Sequence, residues 1–596
     1  MRYFGRYWIW FASGSVFLVA TSVLGLMIPR QLGAAVELLR VASEAGAPVD
    51  MAAIGSLAWL VVALAVGACV ARIVSRVLIF YAGRLIEYDV RNELFGSLTR
   101  LDPAWYQRQS TGDLTSRIIN DVNNVRVLYG FSTLNLVNTA VTYTVVLSLM
   151  FSVSPRLTWL SLAPYPIIIL TMRLFTRALY LRTHAAQERL SDISTHAQEA
   201  IAGVAVVRAF GMERVISERF RAAGDRYVDA NLRLAVVRGA LFPFVASIGS
   251  IGGLIILYAG GRMVIGASIT LGEFVEFSAY ITALAWPTAG LGWALTVWQR
   301  GTASFDRLMH ILATRPAVAD GEDTLAPARL HDDAFRQPVT FEDVGLVWED
   351  GTEALRGVTL TLPAGSVTAV VGRTGAGKSS LVSLLARLRD PTSGVIRVGD
   401  VPLTRFPLRR LRASIGYVPQ DPLLFSRSIR ENIRFGELAR QHDARGENGE
   451  RAGAGRLRLE DATRIAHLDE AVTSFADGLE TLVGERGVTL SGGQKQRVTI
   501  ARAVLLDPDI LVLDDALSSV DTETERTILE ELLTIMEGRT TVLVTHRFNA
   551  LHLVDQVVVL DEGQVVEQGT HHELLARGGV YAQMVERQQL EEALSA

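Results

Sequence analysis

Hydrophobic positions before residue 300 gather into six long runs, at 8–28, 53–71, 134–153, 157–174, 241–260 and 274–296. Each approaches the ~20 residues that an α-helix needs to cross a hydrocarbon core, so the pattern predicts six spanning helices. The first run begins near the start of the chain, but it lacks a small-residue cleavage site and continues into Pro29 and Arg30, which predicts an uncleaved span. Arginine is unevenly shared between the runs. The connection after the second carries Arg72, Arg76, Arg84, Arg91, Arg100, Arg108, Arg117 and Arg126, and the one after the fourth carries Arg173, Arg177, Arg182, Arg189 and Arg208. The other connections hold Arg30 and Arg40, then Arg156, then Arg262. Arginine excess marks the cytoplasmic side of a cell membrane, so both long connections and both termini are expected there.

Within those connections apolar residues keep helical spacing, as in Ile86, Val90, Leu94, Leu98 and Leu101, which predicts helices that run well beyond the bilayer. Each is interrupted once, at 110–117 around Gly112 and at 209–214 around Gly211. Spacing alone leaves two readings, a helix-hairpin turn or a kink that plugs into a soluble domain. In the sixth run Trp286 and Trp293 share a helix face about Pro287, and Asn135, Asn138, Thr142 and Tyr143 give the third a polar stripe. These residues either line an amphipathic cavity or serve as packing contacts and interfacial anchors. Glu273 and Glu276, at the outer end of the sixth span, either attract cations or face water.

After residue 300 the pattern shortens. Helical spacing lasts through Leu312, then Pro316, Gly321, Pro327 and Pro338 break it, so 301–338 reads as a linker. Val367 to Val371, Ile510 to Leu513 and Thr541 to Thr545 are short apolar runs of the kind found in buried parallel strands. Residues 437–456, rich in Gly, Arg, Glu and Ala, read as a surface loop, an insertion tolerated at the surface.

Composition narrows the function. With 596 residues the chain is too long for one core, and a net charge of −4 argues against a nucleic-acid partner. The single cysteine, Cys69, excludes an intrachain disulfide. Of 58 basic residues two are lysines, Lys378 and Lys495.

Lys378 sits in a phosphate loop. Gly372, Arg373, Thr374, Gly375, Ala376, Gly377, Lys378, Ser379 and Ser380 follow one predicted strand and open a helix. The glycines let successive backbone N–H groups face a nucleotide, Lys378 reaches the β and γ phosphates of ATP, and Ser379 binds Mg²⁺. Asp514 ends a second strand and offers the metal a carboxylate, and His546 follows the tip of a third. Leu490, Ser491, Gly492, Gly493 and Gln494 form a second phosphate-binding device. One domain cannot fold this loop back over its own phosphate loop, so a second copy must face it.

With these motifs in place, nearly the whole chain resembles an ABC exporter half-transporter. The resemblance implies an all-α six-helix transmembrane domain with long intracellular extensions over 1–300, the linker, and an α/β P-loop ATPase domain over 339–596. It implies that Trp348 stacks on adenine, that Gln420 touches Mg²⁺ and the attacking water, and that His546 grips the γ-phosphate. It assigns Gly484 to Gly487 to the partner's intracellular loops, Ser518 to Asp521 to the dimer interface, and Ser491, Gly492, Gly493 and Gln494 to the partner's ATP. The turns at Gly112 and Gly211 become coupling helices.

One position departs from the pattern. Asp515 stands where competent members place Glu to polarise the water, and a shorter carboxylate reaches that proton poorly. In the family this marks one subunit of a heterodimer, whose own site hydrolyses slowly while its signature completes the partner's. The alternative is a homodimer that tolerates Asp. The implied activity is ATP-driven export of hydrophobic or amphipathic compounds. Lipid flipping, import on an exporter fold, or a regulatory ATP-binding subunit are the alternatives.

Overall fold

The computed structural model describes residues 2–326, 333–444, 457–475, 477–484, 490–520, 522–548 and 551–595. The chain divides into two units, Met1–Leu98 with Gly112–Ala313, and Thr99–Thr111 with Thr314–Ala596.

The first unit is helical. A short α1 (Arg2–Arg6) precedes α2 (Trp8–Ala45) and α3 (Met51–Leu98). After α4 (Pro103–Gln107), which belongs to the second unit, α5 runs over Thr111–Val153 with π-helical turns at Arg117–Asp121 and Leu128–Ser132. Then come α6 (Pro155–Leu162), α7 (Tyr165–Ala202), α8 (Val204–Ala209), α9 (Glu213–Ile255) and α10 (Leu271–Ala313). Among the described residues three of these, α2, α3 and α5, are long and apolar enough to cross a membrane. At 38, 48 and 43 residues they far exceed a span, as the periodicity beyond the apolar runs predicts.

Buried residues on α3 explain its length. Ile79, Ala82, Ile86, Val90 and Leu94 lie three or four apart, each at 0–1% exposure, and make a stripe that packs inside the unit. Polar contacts fix the register: Tyr3 and Tyr7 donate to Glu93 and Asp89 at 2.7 and 2.8 Å. Lower down, Asp121 on α5 accepts from Ser304 at 2.8 Å and from Arg307 at 2.9 and 2.6 Å, so a nearly buried carboxylate is satisfied by α10. Near the other end α2 meets α10 backbone to backbone. A Cβ at Gly33 would lie 2.6 Å from the Gly272 carbonyl.

The fourth apolar run is not one helix: Ala163 and Pro164 separate α6 from α7, because a proline removes a donor and its ring crowds the preceding turn. The last helix, α10, continues past residue 300 to Ala313, one residue beyond the helical spacing read through Leu312. Helices α7 and α9 form a hairpin closed by α8, with Gly211 at φ +60° in the turn.

In the second unit the first interruption lies upstream of the expected 110–117 segment. Residues 111–116 are already helical, and the break occupies 99–110 with α4 inside it. Asp102 is the N-cap, accepting from the Trp105 N–H at 3.3 Å, and Pro103 occupies the first helical position. Asp102 also accepts from the Ala317 N–H at 3.1 Å, which ties α4 to the linker.

Among the described residues, two sheets follow. Strands β1 (Val339–Val347), β2 (Glu353–Leu362), β4 (Ser393–Val398) and β5 (Val401–Pro402) make an antiparallel sheet in the order β2-β1-β4-β5. Strands β3 (Val367–Gly372), β6 (Ile415–Val418), β7 (Ile510–Asp514), β8 (Thr540–Val544), β9 (Gln556–Asp561) and β10 (Gln564–Gly569) make the second, in the order β10-β9-β3-β8-β7-β6. It is parallel except at β10. Helices α11 (Lys378–Leu385), α12 (Ile429–Ala444), α13 (Gly492–Leu505) and α14 (Thr522–Met536) complete the parts that position the site. β3, β7 and β8 are buried at every position, where each enclosed Val or Leu contributes about 1.5–3 kcal/mol. The expected loop at 437–456 starts late, because α12 continues through Ala444 and 445–456 lies outside the described residues.

Candidate functional site

The phosphate loop joins β3 to α11. Its glycines are conformational necessities: Gly375 and Gly377 hold φ +85° and +97°, and Cβ atoms at Gly372 and Gly377 would lie 2.2 and 2.5 Å from the Leu560 and Ala354 carbonyls. The loop therefore arches over the N-terminus of α11, where free N–H groups and the helix dipole favour an anion. Lys378 is buried to 6% exposure, and its ammonium donates to the Gly372 and Arg373 carbonyls at 2.9 Å each. Burial pulls its pKa down, and the charges of Asp515 and Asp514 pull it back up.

The sheet brings four chemical groups to this loop. The Ser379 hydroxyl donates to Asp514 at 3.0 Å, so two hard oxygens stand side by side. That donor set fits Mg²⁺, which takes few protein oxygens and keeps its other positions for water and phosphate. Burial raises the pKa of Asp514, as does the Asp515 charge, while the Ser379 hydrogen bond lowers it. Asp515 leaves the end of β7 in the left-handed region at φ +48°, uncommon for a residue other than glycine, and its N–H is held by the Val544 carbonyl at 3.0 Å. Gln420 donates to the Asp515 carboxylate at 3.4 Å. His546 is pushed to a lower pKa by burial and then by Lys378. A cavity of about 90 Å³ beside these groups is lined by Asp515, Ser518, Glu525, Thr545, His546 and Arg547.

The signature segment begins α13. Ser491 is its N-cap and shares a reciprocal capping box with Gln494, at 3.2 and 2.9 Å. Gly492 and Gly493 pack on the segment after β7. A Cβ at Gly493 would lie 2.9 Å from the Ser519 carbonyl. Residues 485–487 and Asp521, singled out from the sequence, lie outside the described residues.

Several residues that sequence reading passes over hold the site together. Gln496, fully buried on α13, donates to the Ser518 hydroxyl at 3.0 Å and accepts from the Ser519 N–H at 2.9 Å. Arg547, next to His546, pairs with Glu525 on α14 and donates to the Val520 and Ser518 carbonyls at 3.3 and 3.4 Å. Arg502 donates to the Asn432 and Leu423 carbonyls at 2.8 and 3.1 Å and its guanidinium lies 5.8 and 5.7 Å from the ring centres of Phe425 and Phe435, which pack against each other. These are long-range contacts, and no local motif announces them.

Trp348 ends the first hairpin strand region, where its N–H bonds the Thr352 carbonyl at 2.8 Å. The Arg389 guanidinium lies 4.0 Å from the centre of its ring. Arg389 also donates to Gln107 at 2.8 Å, and Arg108 pairs with Glu349.

In the first unit, the Tyr143 hydroxyl is hydrogen-bonded to Thr288, and Trp293 packs edge-on against Phe131 at 4.2 Å. Asn135 donates to the Phe131 carbonyl at 2.9 Å within its own helix. Glu273 accepts from the Thr270 N–H at 2.7 Å, capping α10, and Glu276 accepts from Tyr280 at 2.6 Å. The side chain of Trp286 lies outside the described residues.

Comparison with known proteins agrees with this arrangement. The ABC transporter transmembrane region matches residues 11–288, and the ABC transporter ATPase family matches residues 355–518. A "probable multidrug resistance ABC transporter ATP-binding/permease protein" of Bacillus subtilis is 34% identical over 593 residues, covering 99% of this chain and 97% of its own. A multidrug resistance-like ATP-binding protein of Escherichia coli is 33% identical over 596 residues, with coverage of 99% and 96%. The solved structure of a bacterial Atm1-family ABC exporter with ATP bound superposes with a TM-score of 0.76 at 27% identity, covering 98% of this chain and 99% of that one. A membrane-embedded helical unit followed by an ATP-binding α/β unit on one polypeptide, with these relatives along its full length, places the chain in the ABC transporter family as an exporter-type half-transporter with an ATPase domain.

Proposed function

We propose that this chain is one half of a heterodimeric exporter, with a multi-pass domain over 1–300, the linker over 301–338, and the ATPase domain over 339–596 on the cytoplasmic side. Its cargo is a hydrophobic or amphipathic compound. The observation that carries the reading is the carboxylate at Asp515, one methylene shorter than Glu and drawn toward Gln420 at 3.4 Å. Magnesium, when bound by Ser379 and Asp514 with Gln420 beside it, supplies the positive charge that neutralises phosphate oxygens.

The chain's own residues divide the remaining work. Residues 372–380 bind the phosphates, Lys378 places its ammonium at the β and γ positions, and Trp348 carries the base. The low pKa of His546 keeps its imidazole neutral near pH 7, so it can donate one hydrogen bond to the γ-phosphate. Asp515 reaches the attacking water poorly, and hydrolysis is slow at this site. Ser491, Gly492, Gly493 and Gln494 face the partner's ATP, where hydrolysis is fast. Helices α4 and α8 carry the closure of the ATPase domains to the membrane domain, which alternates between inward and outward access.

Turnover of the assembled complex tests this. Asp515→Asn leaves it within about twofold, Asp515→Glu raises hydrolysis at this chain's site, and Gly492→Asp abolishes it. A loss of two or more orders of magnitude in Asp515→Asn would assign the hydrolytic role to this chain instead.

A lipid A-core flippase of Syntrophus aciditrophicus, 31% identical over 525 residues, supports lipid as a second cargo class. ATP-dependent translocation of a labelled lipid in vesicles distinguishes the two.

A further inference from the structure

Arg389 makes two contacts that the motif reading gives no reason for. Its guanidinium stacks on Trp348 at 4.0 Å, and its terminal nitrogen donates to the Gln107 amide oxygen at 2.8 Å. Gln107 ends α4, and α4 is clamped to the same unit at two further points, by the Ala317 N–H on Asp102 and by the pair between Arg108 and Glu349. Glu349 is the residue after Trp348. The indole is therefore held from one side by a planar cation, one nitrogen of which donates to α4.

A planar ring has two faces, and a guanidinium on one leaves the other for a purine. A planar, permanently charged fork can stack and donate in the ring plane at once, which an ammonium cannot. We propose that Arg389 is a positioning residue that backs Trp348 as a one-sided base platform and transmits base occupancy through Gln107 to α4. This rests on Trp348 being the adenine platform. Base stacking fixes the indole, the indole fixes the guanidinium, and the guanidinium fixes the end of α4, which is inserted in the chain between α3 and α5.

The test is hydrogen exchange and equilibrium binding on the full chain in lipid nanodiscs, using a non-hydrolysable ATP analogue with Mg²⁺. In the wild type the analogue slows amide exchange both at 372–385 and at 99–111. Arg389→Ala weakens analogue binding about two- to fivefold, the equivalent of one exposed cation–π contact. It removes the slowing at 99–111 and keeps it at 372–385. Gln107 is exposed, so Gln107→Ala does not threaten folding, and it removes the slowing at 99–111 with affinity unchanged. Arg389→Lys recovers less than half of the effect. Slowing that persists at 99–111 in Arg389→Ala overturns the proposal, as does tighter binding, which would make the guanidinium a competitor for the base's face. The underlying reading fails separately, if Trp348→Ala binds the analogue as well as the wild type.

Discussion

The strands that carry the phosphate loop and the hairpin of α7 and α9 represent opposite solutions to burial. β3, β7 and β8 are enclosed at every position, and the groups at their ends are held by hydrogen bonds from the same chain. Among the described residues of the hairpin, the buried apolar ones are Ala186, Ala223 and Leu234, while Ile201, Val204, Val206 and Phe210 stand exposed near its tip, Phe210 at 77%. One region is complete as folded. The other leaves apolar side chains exposed at its tip. The phosphate loop is thus set by contacts within its own unit, and the hairpin tip is left with exposed apolar residues.

The contrast can be broken at its strongest point. Gly372→Val drives side-chain atoms into the Leu560 carbonyl, which a Cβ already approaches to 2.2 Å. The cost is about 3 kcal/mol or more, read as lost ATP binding and a collapsed melting transition of the ATPase domain. Phe210→Ser should do the reverse: melting stays at the wild-type value because the ring stands 77% exposed, while substrate-stimulated ATPase falls about tenfold, as for an interface anchor. Melting that drops with Phe210→Ser would mean the tip is part of a core after all.

A smaller effect sharpens the comparison by pH. Burial and the Lys378 charge hold His546 below the ordinary histidine value of ~6.5. The folded state thus prefers the neutral ring, and this contribution is whole above ~6.5 and is lost as pH falls through the folded value. Acidification from pH 8 to 5 should lower the melting temperature of the ATPase domain more in the wild type than in His546→Gln. Equal slopes would show that the ring is not held in its neutral form.

What the sequence reveals follows the same division. The phosphate loop, Asp514, Asp515, His546 and the signature are legible because each sits at the end of a short apolar run or opens a helix, and the chemistry is local. The position of α4 was misread because Ser110 to Ser116 has turn composition. The informative signal was Asp102 followed by Pro103, a cap and a first-turn proline. Residues 437–444 were read as loop although Arg, Glu and Ala are good helix formers. The helical spacing beyond the second run announces a helix as long as 48 residues, whereas six runs of span length did not foretell the break at Pro164. Arg389, Gln496, Arg502 and Arg547 were illegible for a different reason: each acts across tens of residues or more, on partners that only the folded chain brings near.

The claim on which the account turns is that the carboxylate at Asp515 is too short to drive hydrolysis unaided. Steady-state ATP hydrolysis by this chain purified alone in lipid, set against the same chain assembled with a half-transporter carrying Glu at the equivalent position, tests it most directly. The account predicts a rate for the lone chain about two orders of magnitude or more below the assembly. Brisk hydrolysis with cargo transport by the lone chain would contradict it.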